Sequence, residues 1–137
     1  MALWRFFDYR TDDAPPRNPI QDWYGRQDRQ VQAEFDATVA VLAATEDWGK
    51  AKEFEVFTKK HAGLAELRFS VRTKRQGKEV IRRFRPLGIW YEETRKFIFL
   101  VGCEKARGIY TPQDVFEVAF EYKSRIGTGR GEICEHY

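Results

Sequence analysis

Cysteine and histidine are both scarce in this chain of 137 residues. The cysteines are Cys103, which lies in an apolar run, and Cys134, which lies near the C-terminus. Two cysteines so placed do not make a disulfide framework, so we expect a reducing, cytoplasmic environment. With only His61 and His136 besides, no zinc-binding spacing exists, and we expect neither a metal nor a cofactor.

Long apolar runs are also absent. No segment is apolar over the roughly 20 residues that a membrane-spanning helix needs, so we expect no membrane partner. The N-terminal MALWRFFDYR lacks the apolar core that is typical of a signal peptide. The net charge is only +3 at pH 7, which permits a polyanionic partner without requiring one.

Aromatic residues, in contrast, are plentiful and make up 15% of the chain. With 42% hydrophobic residues overall, the chain can bury a core, and its length suits one domain. We predict that this domain spans residues 1–126. The Gly-rich segment 127–137 is predicted to be a poorly ordered tail.

The hydrophobic periodicity predicts an α+β fold in the order β-α-α-β-β-β-α. The helices are expected to cover one face of a small antiparallel sheet and to leave the other face open. A strand at 96–103, apolar on both faces, is typical of a covered central strand. The other predicted elements are a strand at 3–9, helices at 20–24 and 28–44, strands at 64–74 and 79–91, and a helix from Thr111-Pro112 to Gly127, with 51–63 mostly loop.

The predicted hairpin at 64–84, LAELRFSVRTKRQGKEVIRRF, is strongly basic. Strand alternation places Leu67, Phe69 and Val71 on one face, with the basic residues between them on the other. Arg82 and Arg83 fall on opposite faces of the next strand, so at least one of them joins the basic face. The cations of the hairpin are Arg68, Arg72, Lys74, Arg75, Lys78, Arg82 and Arg83.

Two interpretations fit this basic hairpin. Arginine donates paired hydrogen bonds that suit phosphate, so the hairpin is a candidate surface for a nucleic-acid backbone. Alternatively, it is a solvated sheet face with salt bridges to Glu66, Glu92 and Glu93.

A second basic segment, GCEKARGIYTPQDVF, follows the apolar strand. Lys105, Arg107 and Tyr110 lie between the end of that strand and a predicted helix start, a position that suits anion binding. His61, just before the basic hairpin, is a candidate acid or base near neutral pH. The alternative is that this segment and His61 are simply exposed to solvent.

Taken in order, five segments of this sequence resemble the phage-derived HigB-like branch of the RelE/ParE toxin superfamily. The resemblance covers roughly residues 3–126, and its most recognisable pieces are the ELR of the first hairpin strand and the apolar strand that leads into Gly-x-x-Lys. The segments are WRFFDYR, NPIQDWYGRQDRQVQAEFDATVAVL, LAELRF, RRF and KFIFLVGCEKARGIYTPQDVFEVAF.

The resemblance implies the toxin of a type II toxin–antitoxin system, a small α+β protein neutralised by a helix-turn-helix antitoxin. Many members cleave mRNA, typically on the ribosome, without a metal: the ribose 2′-hydroxyl attacks the adjacent phosphate. Arg68 and Arg82 match basic strand positions beside that phosphate, and Lys105 or Arg107 matches the basic residue after the last strand. Some relatives carry a catalytic tyrosine where this chain has Phe116.

His61 or Tyr110 would therefore have to move protons in place of that tyrosine. The resemblance also leaves two other functions open. ParE-type relatives inhibit gyrase, so the chain could be a module that binds nucleic acid or protein without cutting. It could also be an inactive phage remnant.

Overall fold

The computed structural model describes residues 2–136, and within them the chain forms three helices and ten strands. The helices are α1 (Pro19–Gly25), α2 (Arg29–Ala43) and α3 (Val115–Gly127). The strands are β1 (Arg5–Arg10), β2 (Phe54–Val56), β3 (Ala65–Leu67), β4 (Phe69–Arg75), β5 (Lys78–Phe84), β6 (Leu87–Tyr91), β7 (Lys96–Val101), β8 (Glu104–Ala106), β9 (Ile109–Thr111) and β10 (Glu132–Glu135). The predicted α+β class is confirmed.

The strands form two sheets where the sequence predicted one. A six-stranded sheet has the order β10-β1-β7-β6-β3-β2, and a four-stranded sheet has the order β4-β5-β8-β9. Within the larger sheet β1 runs parallel to β7, while the other pairs are antiparallel. The chain passes between the sheets at Arg68, so the strand predicted at 64–74 is two strands, each belonging to a different sheet.

Both faces of the larger sheet are covered around β7. Phe97 and Phe99 pack with the α1 and α2 side chains, whereas Ile98 and Leu100 pack with those of α3. This confirms the prediction of a central strand covered on both sides. The expectation of one open sheet face is wrong for this sheet, because α3 buries its apolar stripe (Val115, Ala119 and Tyr122) there.

The smaller sheet carries the basic hairpin. Its β4–β5 turn has positive φ at Gln76 and Gly77, the backbone that a two-residue hairpin turn requires. On one face Phe69, Val71 and Phe84 join the core that contains α2. The opposite face lacks this helix cover, so in this sheet the predicted open face is present.

Several element boundaries differ from the prediction. The strand predicted at 79–91 is two strands, β5 and β6, which belong to different sheets and are separated around Pro86, a residue that cannot donate to a sheet ladder. Strand β2, however, lies in the segment predicted to be mostly loop. The helix predicted to start at Thr111-Pro112 begins at Val115, because Thr111 instead pairs with Glu104 in the β8–β9 ladder.

The C-terminal segment predicted to be a tail completes the larger sheet. Strand β10 pairs antiparallel with β1. Beyond it, His136 Nδ1 lies 2.7 Å from the carboxylate of Asp8, which is only 1% exposed. Asp8 also accepts hydrogen bonds from Asn18 and Gln21, so a buried polar network fastens the C-terminus to the start of α1.

Gly88 is predicted to be a packing constraint on β6. A Cβ atom at this position would collide with the backbone oxygen of Ile98 and the ring of Phe97. We expect Gly88→Ala to lower the free energy of unfolding by about 1–3 kcal/mol, the usual cost of overpacking. Gly25→Ala is the matched control, because a Cβ added there would have nothing within 4 Å. Urea unfolding that shows equal stability for both variants would contradict this account of the packing.

Candidate nucleic-acid interface

Four side chains form one row across the smaller sheet. In the strand register Ser70 lies opposite Arg83, Arg83 opposite Lys105, and Lys105 opposite Tyr110. Because directly opposed residues share a face of the sheet, all four point away from the α2 core. We call these residues the basic row. The Lys105 ammonium lies 5.1 Å from the centre of the Tyr110 ring, within reach of a cation–π interaction.

A buried carboxylate lies beside this row. Glu66 is 1% exposed and accepts hydrogen bonds from the Tyr110 hydroxyl at 2.6 Å and from Arg68 Nε at 2.7 Å. The Nε atom of Arg85 lies 3.6 Å from the same carboxylate. We call Glu66, Arg68, Arg85 and Tyr110 the Glu66 cluster. It joins β3 of the larger sheet to β9 of the smaller one.

Arg68 has a second carboxylate partner. Glu55 lies directly opposite Glu66 in the β2–β3 ladder, and the Arg68 guanidinium contacts both. Like charges directly opposed on neighbouring strands repel each other. Arg68 therefore neutralises a pair of carboxylates, and its side chain remains 37% exposed.

Burial shifts the pKa values of two members of this cluster, Tyr110 and Arg85. Desolvation, and then the hydrogen bond to Glu66, raise the pKa of Tyr110 well above its ordinary value of 10.0. The phenol is therefore protonated at neutral pH and donates to Glu66. Desolvation also lowers the pKa of Arg85, against the opposing charge of Glu66.

A polar cavity of about 470 Å³ opens where the chain passes between the sheets. Its lining includes four cations, Lys52, Arg68, Arg83 and Arg85, and two carboxylates, Glu34 and Glu53. The lining thus carries an excess of positive charge. Arginine in such a setting is suited to paired hydrogen bonds with phosphate oxygens.

Arg82 does not belong to this site. It lies opposite the buried Val71, on the face of the sheet that meets the α2 core. Two of its nitrogens contact the Glu104 carboxylate at 2.9 and 2.7 Å, and its guanidinium lies 5.0 Å from the centre of the Phe84 ring. The expectation that Arg68 and Arg82 share one face is wrong, and Arg83 takes the place expected for Arg82.

The hairpin cations extend the basic row toward solvent. Arg72 and Lys74 are exposed and, by strand alternation, share the face of Ser70, as predicted. Arg72 is paired with Glu79 at 2.7 Å, and Lys74 lies opposite the same carboxylate. Arg75 and Lys78 face each other at the exposed tip.

The last two predicted site residues, Arg107 and His61, lie outside the basic row. Arg107 is exposed in the β8–β9 turn, with a φ of 52°. His61 instead stacks on Phe116, with ring centres 3.6 Å apart. Burial, and then the charge of Lys60, lower the pKa of His61 from 6.5, so its ring is neutral at pH 7.

Arg85 is the member of the cluster that the sequence did not single out, and Glu66 was predicted only as a salt-bridge partner of the basic hairpin. Glu66 alternates as a polar residue among apolar ones, which is equally typical of an exposed strand position. Its burial depends on β2, an element that the sequence did not predict. Arg85 follows Arg82 and Arg83 by three and two residues, and only the structure identifies it as the arginine whose side chain is 12% exposed.

Residues 2–136 contain no group of three or more His, Cys, Asp or Glu side chains that could hold a metal ion. None of the helices in that range combines the length and apolarity needed to cross a membrane. Comparison with models of protein families, with curated proteins and with solved structures finds no significant match. The RelE/ParE resemblance therefore stays a prediction.

The hydrogen bond from Tyr110 to Glu66 is expected to contribute to stability. Tyr110→Phe removes a donor from a buried carboxylate, so we expect the free energy of unfolding to fall by about 1.5–3 kcal/mol. Tyr24→Phe removes a similar bond, to the exposed Asp36, and should cost less than about 1 kcal/mol. Chemical denaturation of both variants checks this ordering. A Tyr110→Phe protein as stable as wild type would mean that this bond adds nothing.

Proposed function

We propose that this protein is the toxin of a type II toxin–antitoxin system and cleaves mRNA without a metal. The observation that carries the proposal is the Glu66 cluster, in which two arginines and a tyrosine meet at one carboxylate beside the basic row. The ordered segments that resemble RelE/ParE toxins favour the same function. In this proposal the partners are RNA, on the ribosome in the manner of many relatives, and a helix-turn-helix antitoxin.

The basic row and the polar cavity supply positions for phosphate. Arg83 is exposed, and together with Lys105 and Arg68 it places three cations on one side of the smaller sheet. A phosphodiester that undergoes attack gains negative charge on its oxygens. Cations held in place before the reaction stabilise that charge more than they stabilise the ground state.

Two groups are suited to the proton transfers. His61 is neutral at pH 7 because its pKa is lowered, so it can accept the proton of the ribose 2′-hydroxyl. The 2′-oxygen then bonds to phosphorus and the bond from phosphorus to the 5′-oxygen breaks. The leaving oxygen takes the Tyr110 proton, giving a 2′,3′-cyclic phosphate and a 5′-hydroxyl. The Lys105 ammonium lies 5.1 Å from the centre of the Tyr110 ring, and Arg68 and Arg85 contact the Glu66 carboxylate that Tyr110 also contacts, so these cations offset charge left on Tyr110.

A second candidate function is binding without cleavage. Both oxygens of Glu66 already have partners, and Tyr110 donates a hydrogen bond to one of them. Catalysis by Tyr110 would have to break this hydrogen bond. The same cations would then hold an RNA, DNA or protein surface, as in relatives that inhibit their target without cutting RNA.

Replacement of Arg83 tests whether cleavage depends on a cation at this site or only on the net positive charge of the protein. Arg83→Gln removes an exposed cation from the basic row without a buried partner to disturb. We expect RNA cleavage to fall by about 10²–10³-fold, the effect of losing one preorganised donor. Arg29→Gln is the matched control, because it removes the same charge from the exposed start of α2. The readouts are growth arrest on induction and 2′,3′-cyclic phosphate ends on purified RNA.

Three results decide between the candidates. Cleavage that survives in Arg83→Gln at the Arg29→Gln level would contradict the proposed site. RNA binding that weakens with salt but yields no cleaved product would select the binding function. Arrest of growth without any RNA cleavage would also select it.

The pH dependence of cleavage tests the role of His61. Since burial lowers its pKa below 6.5, the histidine is unprotonated at pH 7 and becomes protonated only at lower pH. We expect a rate that is flat around pH 7–8 and declines toward acid with a midpoint below pH 6.5. His61→Ala should lower the rate and remove that decline. An unchanged acidic decline in His61→Ala would assign the base to another group.

A further inference from the structure

A second cavity, of about 400 Å³, has Tyr110 in its lining but not Glu66. We call it the aromatic cavity, because His61, Tyr110 and Phe116 contribute rings to its lining. Its volume is at the small end of the range for ligand sites, about 300–1,000 Å³. Lys60, Gln113 and Glu117, all exposed, add polar groups to the lining.

The aromatic side chains hold one another in fixed positions. The Phe116 and His61 rings are parallel within 3°, and the Tyr110 ring meets Phe116 edge-on with centres 4.8 Å apart. Phe57 supports them, with its ring edge-on to Phe116 at 5.2 Å. The rings of Phe116, His61 and Tyr110 are each only partly buried. One face of the Phe116 ring and one face of the His61 ring cover each other, and the partly exposed remainder of the three rings is accessible to an incoming group.

Tyr110 connects this cavity to the cationic site. Its hydroxyl reaches Glu66 at 2.6 Å, and the Lys105 ammonium lies 5.1 Å from its ring centre. The same ring lines the aromatic cavity. A chain that places a phosphate on the basic row would thus bring its next unit to the aromatic cavity. In a single-stranded nucleic acid that unit is a planar base.

We propose that the aromatic cavity binds one nucleobase of a single-stranded RNA, stacked against its aromatic lining next to the phosphate on the basic row. This proposal rests on the RNA-binding function proposed above and adds a base subsite to it. Stacking on aromatic side chains is the usual way in which proteins hold unpaired bases. The polar groups of Lys60, Gln113 and Glu117 are available to the edge of that base.

The test compares two fluorescent single-stranded DNA octamers, one with bases and one abasic throughout. Neither can be cleaved, because both lack the 2′-hydroxyl, and both carry the same phosphates. We expect wild type to bind the octamer with bases roughly 5–150-fold more tightly, the range that stacking of one base provides. Fluorescence anisotropy at fixed salt measures both affinities.

Variants of Phe116 then test whether the preference for the octamer with bases arises in the aromatic cavity. Phe116→Leu keeps an apolar side chain but removes the flat surface, so it should bind both octamers with similar affinity. Phe116→Trp should retain the preference. His61→Leu changes a second residue of the same lining and should weaken the preference for the octamer with bases. It keeps the proposal testable if Phe116→Leu does not fold.

The outcomes separate this inference from the proposed function. Equal affinity of wild type for the two octamers, with binding that falls in Arg83→Gln, would overturn the base subsite alone. A preference that persists in the folded Phe116→Leu and His61→Leu proteins would also overturn it. No binding of either octamer would overturn the underlying nucleic-acid function together with the subsite.

Discussion

The buried carboxylate of Glu66 is the interaction on which the candidate site depends. A carboxylate that is 1% exposed is stable only where cations and hydrogen-bond donors surround it. Arg68, Arg85 and Tyr110 fill that role, and they come from the crossing point of the sheets, the end of β5 and β9. The same contacts that neutralise Glu66 therefore bring three separate parts of the chain together.

The passage of the chain from one sheet to the other determines where the polar cavity and its charged side chains lie. At Arg68 the chain leaves the larger sheet, whose two faces are covered by helices, and enters the smaller sheet, which has a face without helix cover. The polar cavity lies at that passage. Charged side chains that would be costly inside either core are thus placed at the boundary between them, where Arg68 and Arg83 line the cavity.

Features that depend on local periodicity could be predicted from the sequence. Asn18 caps α1 and Gly25 ends it, and the two-sided apolar pattern of β7 marked it as central. The choice between Arg82 and Arg83 could not be predicted in this way, because adjacent residues exchange faces when the register changes by one position. The contact of Glu66 with Tyr110 joins residues that are 44 positions apart in sequence, which local periodicity does not reveal.

The most direct test of the site is an NMR titration of isotope-labelled protein with a short 2′-O-methyl RNA that cannot be cleaved. The account predicts that chemical-shift changes concentrate at Glu66, Arg68, Arg83, Lys105 and Tyr110, and weaken as salt is raised. Changes centred on Arg82 and Glu104, or on helices α1 and α2, with the basic row unaffected, would contradict it.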